Sequence, residues 1–209
     1  MNHHKTCVVA DCHDHRTRFG RYCRRHSRRL SKYGSPTGRP ISRSFVDLAA
    51  TVRRVEAVLS ANADHPGFLQ ATSELQQLLN DASERASTSA RPLTGPALNW
   101  ARSAGHGVTP MAILSHVVAV VVLDQENSRL FADQRALEFA IARTVLGLAP
   151  LGRAPLGART LEAVGRQMIE RYAGLLVSAV VALKKSEDDA KKREEAMQAP
   201  LRTTHLNSI

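Results

Sequence analysis

Residues 7–40 read CVVADCHDHRTRFGRYCRRHSRRLSKYGSPTGRP, and this stretch holds all three cysteines of the 209-residue chain beside its densest run of arginine. Cys7 and Cys12 make a Cys-x4-Cys pair, and Cys23 with His26 a Cys-x2-His pair. Three thiolates and one imidazole fill the four tetrahedral positions of a closed structural zinc site. No position is left for a water, so the donor set argues for folding rather than metal catalysis. The expected cofactor is therefore one structural Zn2+ held by Cys7, Cys12, Cys23 and His26.

The spacing predicts a geometry. Cys7 and Cys12 bracket a tight knuckle, residues 16–22 fold as a short hairpin turning near Gly20, and Cys23 and His26 open a helix on which a three-residue step puts both on one face. Knuckle, hairpin and helix together make a treble-clef-like module. At about 100° per residue, Cys23, His26, Ser27 and Leu30 share one side of that helix, while Arg24, Arg25, Arg28, Arg29 and Lys32 occupy the other. One face folds the module and the other is a cationic ridge. A segment this small cannot bury enough apolar surface to be stable alone; a structural zinc worth roughly 10–16 kcal/mol supplies the difference, and without metal the module is expected to be disordered.

The order Cys-x4-Cys, then Gly-Arg-Tyr-Cys-x2-His, then Arg-Arg-Leu-x-Lys-Tyr-Gly-x-Pro resembles a small Cys/His zinc module of bacteriophage and mobile-element proteins, one that sometimes accompanies HNH endonucleases. The likeness covers about the first forty residues. It implies a DNA-handling context and no activity of its own. An HNH site resembling that family's needs a catalytic His, an Asn shortly after it and a metal-binding His on a following helix. Asp14-His15 imitates the first element, but no asparagine lies between Asn2 and Asn62, so the nuclease pattern is incomplete.

Charge is as uneven as cysteine. Residues 1–43 carry eleven basic side chains against two acidic ones, a net +9, and the remaining chain has eighteen against seventeen, so nearly all of the overall +10 sits in the module. Zinc with three thiolates lowers the module to about +8. Such a field attracts polyanions, and the planar arginine fork suits phosphates and guanine edges. Nucleic acid, double-stranded DNA first, is the expected partner. Its contacts are expected at Arg24, Arg25, Arg28, Arg29 and Lys32, with Arg16, Arg18 and Arg21 as secondary contacts. An acidic protein is the alternative counterion; an anionic membrane fits less well because no apolar face accompanies the arginines.

An odd set of three cysteines completed by a spaced histidine suits metal better than disulfides, and the opening MNHH lacks a signal-peptide apolar region, so a reducing, cytoplasmic setting is expected. His3, His4, His13 and His15 are read as local polar residues rather than substitute ligands. Residues 1–33 form the module and 34–44 (GSPTGRPISRS) an extended linker, in which Arg39 and Arg43 either track a phosphate backbone or a minor groove or belong to an ordinary basic tether.

From Ser44 the chain reads as helical: a mainly α bundle domain over 45–198, with a possible sub-boundary at 87–96 and a disordered tail at 199–209. Phe45, Leu48, Val52, Val55 and Leu59 mark one amphipathic helix, and Phe68, Thr72, Leu75, Leu79, Ala82 and Ala86 a second, expected to pair with the first as an antiparallel hairpin. Trp100 on a short helix reads as core packing rather than a base-stacking platform. Residues 111–123, MAILSHVVAVVVL, are too short for a membrane span and read as the buried central helix, a buried strand being the weaker alternative. His116 within it reads as a hydrogen-bonded core or interface histidine. A helix-turn-helix reading of 97–122 fails because the groove-reading helix would present valines. Leu137, Ala140, Ile141, Val145 and Leu148 mark a further helix. Leu161, Val164, Met168, Tyr172, Leu175, Ala179 and Leu183 mark the last, where Gly165 and Gly174 would allow close approach.

No phosphate-cradling Gly-x4-Gly-Lys loop, nucleophile elbow or helical His-Glu-x2-His is present, so no catalytic residue is assigned and the chain is read as a non-enzyme. Two functions remain in view. One is a zinc-dependent nucleic-acid-binding regulator or accessory factor whose helical domain forms homo-oligomers or docks on a partner protein. The other is a structural interaction subunit, or a non-catalytic subunit of a recombinase or nuclease complex, in which zinc only stabilises a docking surface.

Overall fold

The computed structural model describes residues 6–38, 48–127, 130–150 and 156–204, with side chains as far as residue 197. Arg39 and Arg43, the Ser44 cap and Phe45 lie outside the described residues, as do residues 205–209 of the expected tail. The described chain is mainly helical: α1 (Arg24–Tyr33), α2 (Leu48–Ala61), α3 (Pro66–Thr88), α4 (Gly95–Gly105), α5 (Pro110–Glu126), α6 (Gln134–Leu146) and α7 (Ala158–Thr204).

Helix α5 is the axis. Thr109 accepts a hydrogen bond from the Ala112 N–H and Pro110 stands in the first turn, so the chain enters a helix despite its valines. Ile113, Leu114, Val117, Val118, Ala119 and Val120 are wholly buried, because α2, α3, α6 and α7 all lie against α5. Burial on every side repays the β-branched residues' modest loss of helix propensity, and the strand alternative falls away. Asp133 starts α6 in the same manner, accepting from the Ala136 N–H at 2.8 Å. Trp100 is buried in the core, and no described helix is long and apolar enough to cross a membrane.

The pairing of helices differs from the sequence expectation. α2 packs on α5 and α7 whereas α3 packs chiefly on α4, so the expected α2–α3 hairpin is not formed. The apolar stripe of each is equally satisfied by other partners, and stripes carry no address. Ala86 is exposed rather than core, and Ala71 is buried where Thr72 was expected. On α7, Leu175 is half-buried and Leu176 and Val180 enter the core with Tyr172, Ala179 and Leu183. Gly165 lies against the α6 backbone at Glu138, but nothing approaches Gly174 within 4 Å, so only the first is a crossing point. Beyond Leu183 the described side chains of α7 leave the core, Glu187 pairing with Arg54 of α2, and the helix itself continues to Thr204, past the expected boundary at 198.

The module sits on α6. Gly34 ends α1 at φ 74°, its N–H bonding Leu30 O, and a Cβ there would come within 2.6 Å of the Arg135 carbonyl oxygen. Ser35 is buried, and the Gly38 N–H returns to Ser35 O at 3.1 Å. Residues 34–38 are thus a folded turn against the bundle, and the expectation of an extended connection is corrected there.

Candidate metal centre and cationic face

Local hydrogen bonding builds the knuckle. The Cys12 N–H reaches Val9 O (3.2 Å), with Asp11 in the left-handed region at φ 59°, and the Cys7 N–H reaches Asp14 O (2.9 Å). The chain then turns between Thr17 and Gly20 and returns beside itself, Thr17 N–H to Tyr22 O at 3.0 Å and Val8 N–H to Arg21 O at 3.2 Å. The expected hairpin is therefore present as a turn. The one β pairing among the described residues lies outside it, an isolated antiparallel bridge between Thr6 and His15 on either side of the knuckle.

Cys23 then occupies the N-cap position of α1, and its carbonyl accepts from the Ser27 N–H at 2.9 Å. The helix start brings Cys23 and His26 to one face, as the three-residue spacing predicts. Cys7 Sγ lies 3.3 Å and Cys23 Sγ 3.5 Å from His26 Nδ1, and Cys12 Sγ lies 3.9 Å from Cys23 Sγ. The four ligand atoms are all within 4.8 Å of one another, all four residues are buried, and no disulfide joins them. Residues 7, 12, 23 and 26 thus form a candidate metal site. Among the described residues the rest of the module core is the half-buried Val9 and Tyr22.

Electrostatics pushes Cys7 and Cys12 in opposite directions. Burial pushes the Cys7 thiol up, but hydrogen bonds from the backbone N–H groups of Cys23 and Val9, together with His26 and Cys12 beside it, bring it down from 9.0 to about 6. Cys12 goes the other way, raised by burial and by the two neighbouring sulfurs. Arg25 lies over it, 3.9 Å from its sulfur and 3.7 Å from Asp14 Oδ2, and this hydrogen bond to Cys12 and the charge of Asp14 raise the guanidinium's own pKa. Among the expected nucleic-acid contacts, Arg25 is therefore partly committed to the sulfur cluster.

Arg24, Arg25, Arg28, Arg29 and Lys32 are exposed and line one shallow depression of about 590 Å³ with Asp14 as its only carboxylate. Arg24, Arg28, Arg29 and Lys32 make no ion pair with a carboxylate among the described residues. The secondary contacts divide. Arg16 is half-buried and its Nε donates to Thr6 O at 2.6 Å, which makes it a clasp on the module's first strand-like turn. Arg18 and Arg21 are exposed, with the Arg18 guanidinium 5.2 Å from the centre of the Phe19 ring. His116 is half-buried, its Nδ1 2.7 Å from Ala112 O, and it belongs to no ligand cluster among the described residues.

Sequence reasoning missed Arg143. From α6 its Nε donates to Lys32 O at 2.6 Å, and its guanidinium lies 5.7 Å from the Tyr33 ring centre. Half-burial lowers its pKa, and the hydrogen bond to Lys32 O engages the guanidinium with the last turn of α1, where carbonyl oxygens lack helical partners. A partner 111 residues away leaves no local signal. Arg143→Ala is expected to cost about 2 kcal/mol of docking between module and bundle, with metal content unchanged. Faster amide exchange over residues 30–38 checks it, and unchanged protection there would remove Arg143 from the interface.

A scan against protein-family models, a search of curated proteins and a search of solved structures each returned no match to this chain.

Proposed function

We propose that this chain is a zinc-dependent nucleic-acid-binding protein, acting on double-stranded DNA as a regulator or accessory factor in a phage or mobile-element setting, with the helical bundle as its oligomerisation or docking part. One observation carries the reading: a single helix has its inner face tied to a sulfur–imidazole cluster and its outer face set with four cations that make no ion pair with a carboxylate among the described residues. Zinc is the metal the donors fit. A tetrahedral ion at about 2.3 Å from sulfur and about 2.0 Å from nitrogen has S···S edges of roughly 3.8 Å and S···N edges of roughly 3.5 Å. The separations of 3.9, 3.3 and 3.5 Å fall close to those edges. Knuckle, turn and helix in that order support a treble-clef-like arrangement.

In this reading zinc supplies folding energy and fixes the register of α1. Arg24, Arg28, Arg29 and Lys32 neutralise phosphates, Arg18 and Arg21 add contacts from the turn, and Arg25 divides its charge between DNA and the Cys12 thiolate. Arg143 and the Gly34 contact hold the ridge at a fixed angle to the bundle.

The test is a salt series of duplex binding by the zinc-loaded full chain. The four ridge contacts alone give a slope of log K against log salt of about −3.6, and with Arg18 and Arg21 about −5.4; Arg28→Ala is expected to flatten it by about 0.9 and weaken binding roughly three- to tenfold. Weak, salt-insensitive binding together with stable self-association would instead favour the structural interaction subunit. Exposed Val177 and Val181 on α7 are the observation on that side.

A further inference from the structure

We propose that Phe19 is a base-stacking side chain, and that the nucleic acid this module engages best is a duplex carrying an unpaired base. The inference rests on the nucleic-acid reading above and names its preferred substrate. It starts from an anomaly of exposure. The chain has few aromatic residues, and among the described ones Phe68, Phe139, Trp100 and Tyr172 are buried while Tyr22, Tyr33 and Phe131 are half-buried. Among the described aromatic residues Phe19 alone stands in water, at 91% exposure. The other exposed large apolar residues, Val8, Leu69, Val177, Val181 and Met197, are aliphatic and offer no π face.

The ring is held out by a formed turn. Gly20 N–H closes on Thr17 O at 3.1 Å, and Thr17 N–H on Tyr22 O at 3.0 Å. A side chain at Gly20 would collide with Thr17 Oγ1, so the glycine lets the turn close tightly under Phe19. The Arg18 guanidinium lies over the ring and leaves its other surface open. A cation on one face and a base on the other is a favourable arrangement for an aromatic ring.

Placement supports the same use. Phe19 is five residues before Arg24, so the ring's backbone lies at most about 18 Å from the start of the ridge, within the span of a few base pairs. Phosphates gripped by α1 would hold the strand while the turn reaches a base. In an intact duplex the base faces are covered by their neighbours, and stacking requires unstacking first; at an unpaired base that cost is least. The ridge therefore provides affinity, and Phe19 provides discrimination between continuous and interrupted duplexes.

The experiment compares the zinc-loaded full chain on two duplexes of one sequence, one continuous and one with a single unpaired 2-aminopurine. Wild type is expected to prefer the interrupted duplex by about 5- to 150-fold and to change the probe's fluorescence on binding. Phe19→Ala is expected to lose the preference and the fluorescence change while the salt slope stays as it was, and Phe19→Trp to restore both. A side chain so exposed can be removed without disturbing the fold. If wild type binds both duplexes equally with a steep salt slope, the stacking role is overturned and the ridge reading survives. If it binds neither, the nucleic-acid reading itself falls. Phe19-dependent sedimentation with phosphatidylserine vesicles, without preference for the unpaired base, would assign the ring to a lipid surface and overturn the proposal.

Discussion

Cys23→Ser is expected to unfold residues 6–38 while leaving the bundle folded, and to take metal binding away together with the proposed DNA binding. Cys23 does two jobs. Its sulfur is one corner of the cluster, 3.9 Å from Cys12 Sγ and 3.5 Å from His26 Nδ1, and its backbone starts α1. Serine preserves the second job, since it is itself a favoured N-cap, so the substitution isolates the thiolate. If a structural zinc provides roughly 10–16 kcal/mol through four ligands, one lost thiolate removes about 2.5–4 kcal/mol, a drop in metal affinity on the order of a hundred- to a thousandfold. The module has no reserve against that loss. Beside the ligands its core is Val9 and Tyr22, and no residue of this cluster belongs to the bundle core. Metal content after dialysis against a chelator and protease cleavage within residues 6–38 are the measurements. Chelation of the wild type should reproduce the variant. An ordered, metal-loaded Cys23→Ser module would overturn the assignment of Cys23 as a ligand.

Why this site was legible while the bundle's packing was not is a matter of distance along the chain. Cys7, Cys12, Cys23 and His26 fall within twenty residues, and the geometry relating them comes from one knuckle, one turn and one helix start, each with its own local signature. The ridge follows from the same helix by period alone. α5 was legible for a similar reason, because a run apolar on all sides has only one place to go. Helix pairing lacks such a signature. The stripe on α2 fits α5 as well as it would have fitted α3, and the choice rests on the whole set of faces being covered at once. Arg16 illustrates the same limit at short range: its composition says cation, but a carbonyl at 2.6 Å makes it a structural donor.

Gly165 and Gly174 carry this contrast to a measurement, since the sequence presents them alike on one helix. Gly165→Ala is expected to destabilise the bundle and Gly174→Ala to stabilise it. At Gly165 a Cβ would fall on the Glu138 carbonyl oxygen, with Glu138 C at 2.5 Å and Cα at 2.8 Å, and these are main-chain atoms of α6 that no rotamer change can move. The helices would have to separate, loosening the packing of Phe139, Ile141, Leu161, Val164 and Met168, all fully buried. Overpacking of this kind costs about 3 kcal/mol or more, against which alanine returns roughly 1 kcal/mol of helix propensity. A net loss of about 2–4 kcal/mol corresponds to a fall in Tm of about 5–15 °C for a domain of this size. At Gly174 nothing lies within 4 Å, so only the propensity gain remains, roughly 1 kcal/mol or about 2–4 °C upward. Thermal denaturation followed by far-UV circular dichroism reads both. Opposite signs from the same substitution nine residues apart would locate the α6–α7 crossing at Gly165, and a rise in Tm for both would mean the two helices do not meet there backbone to backbone.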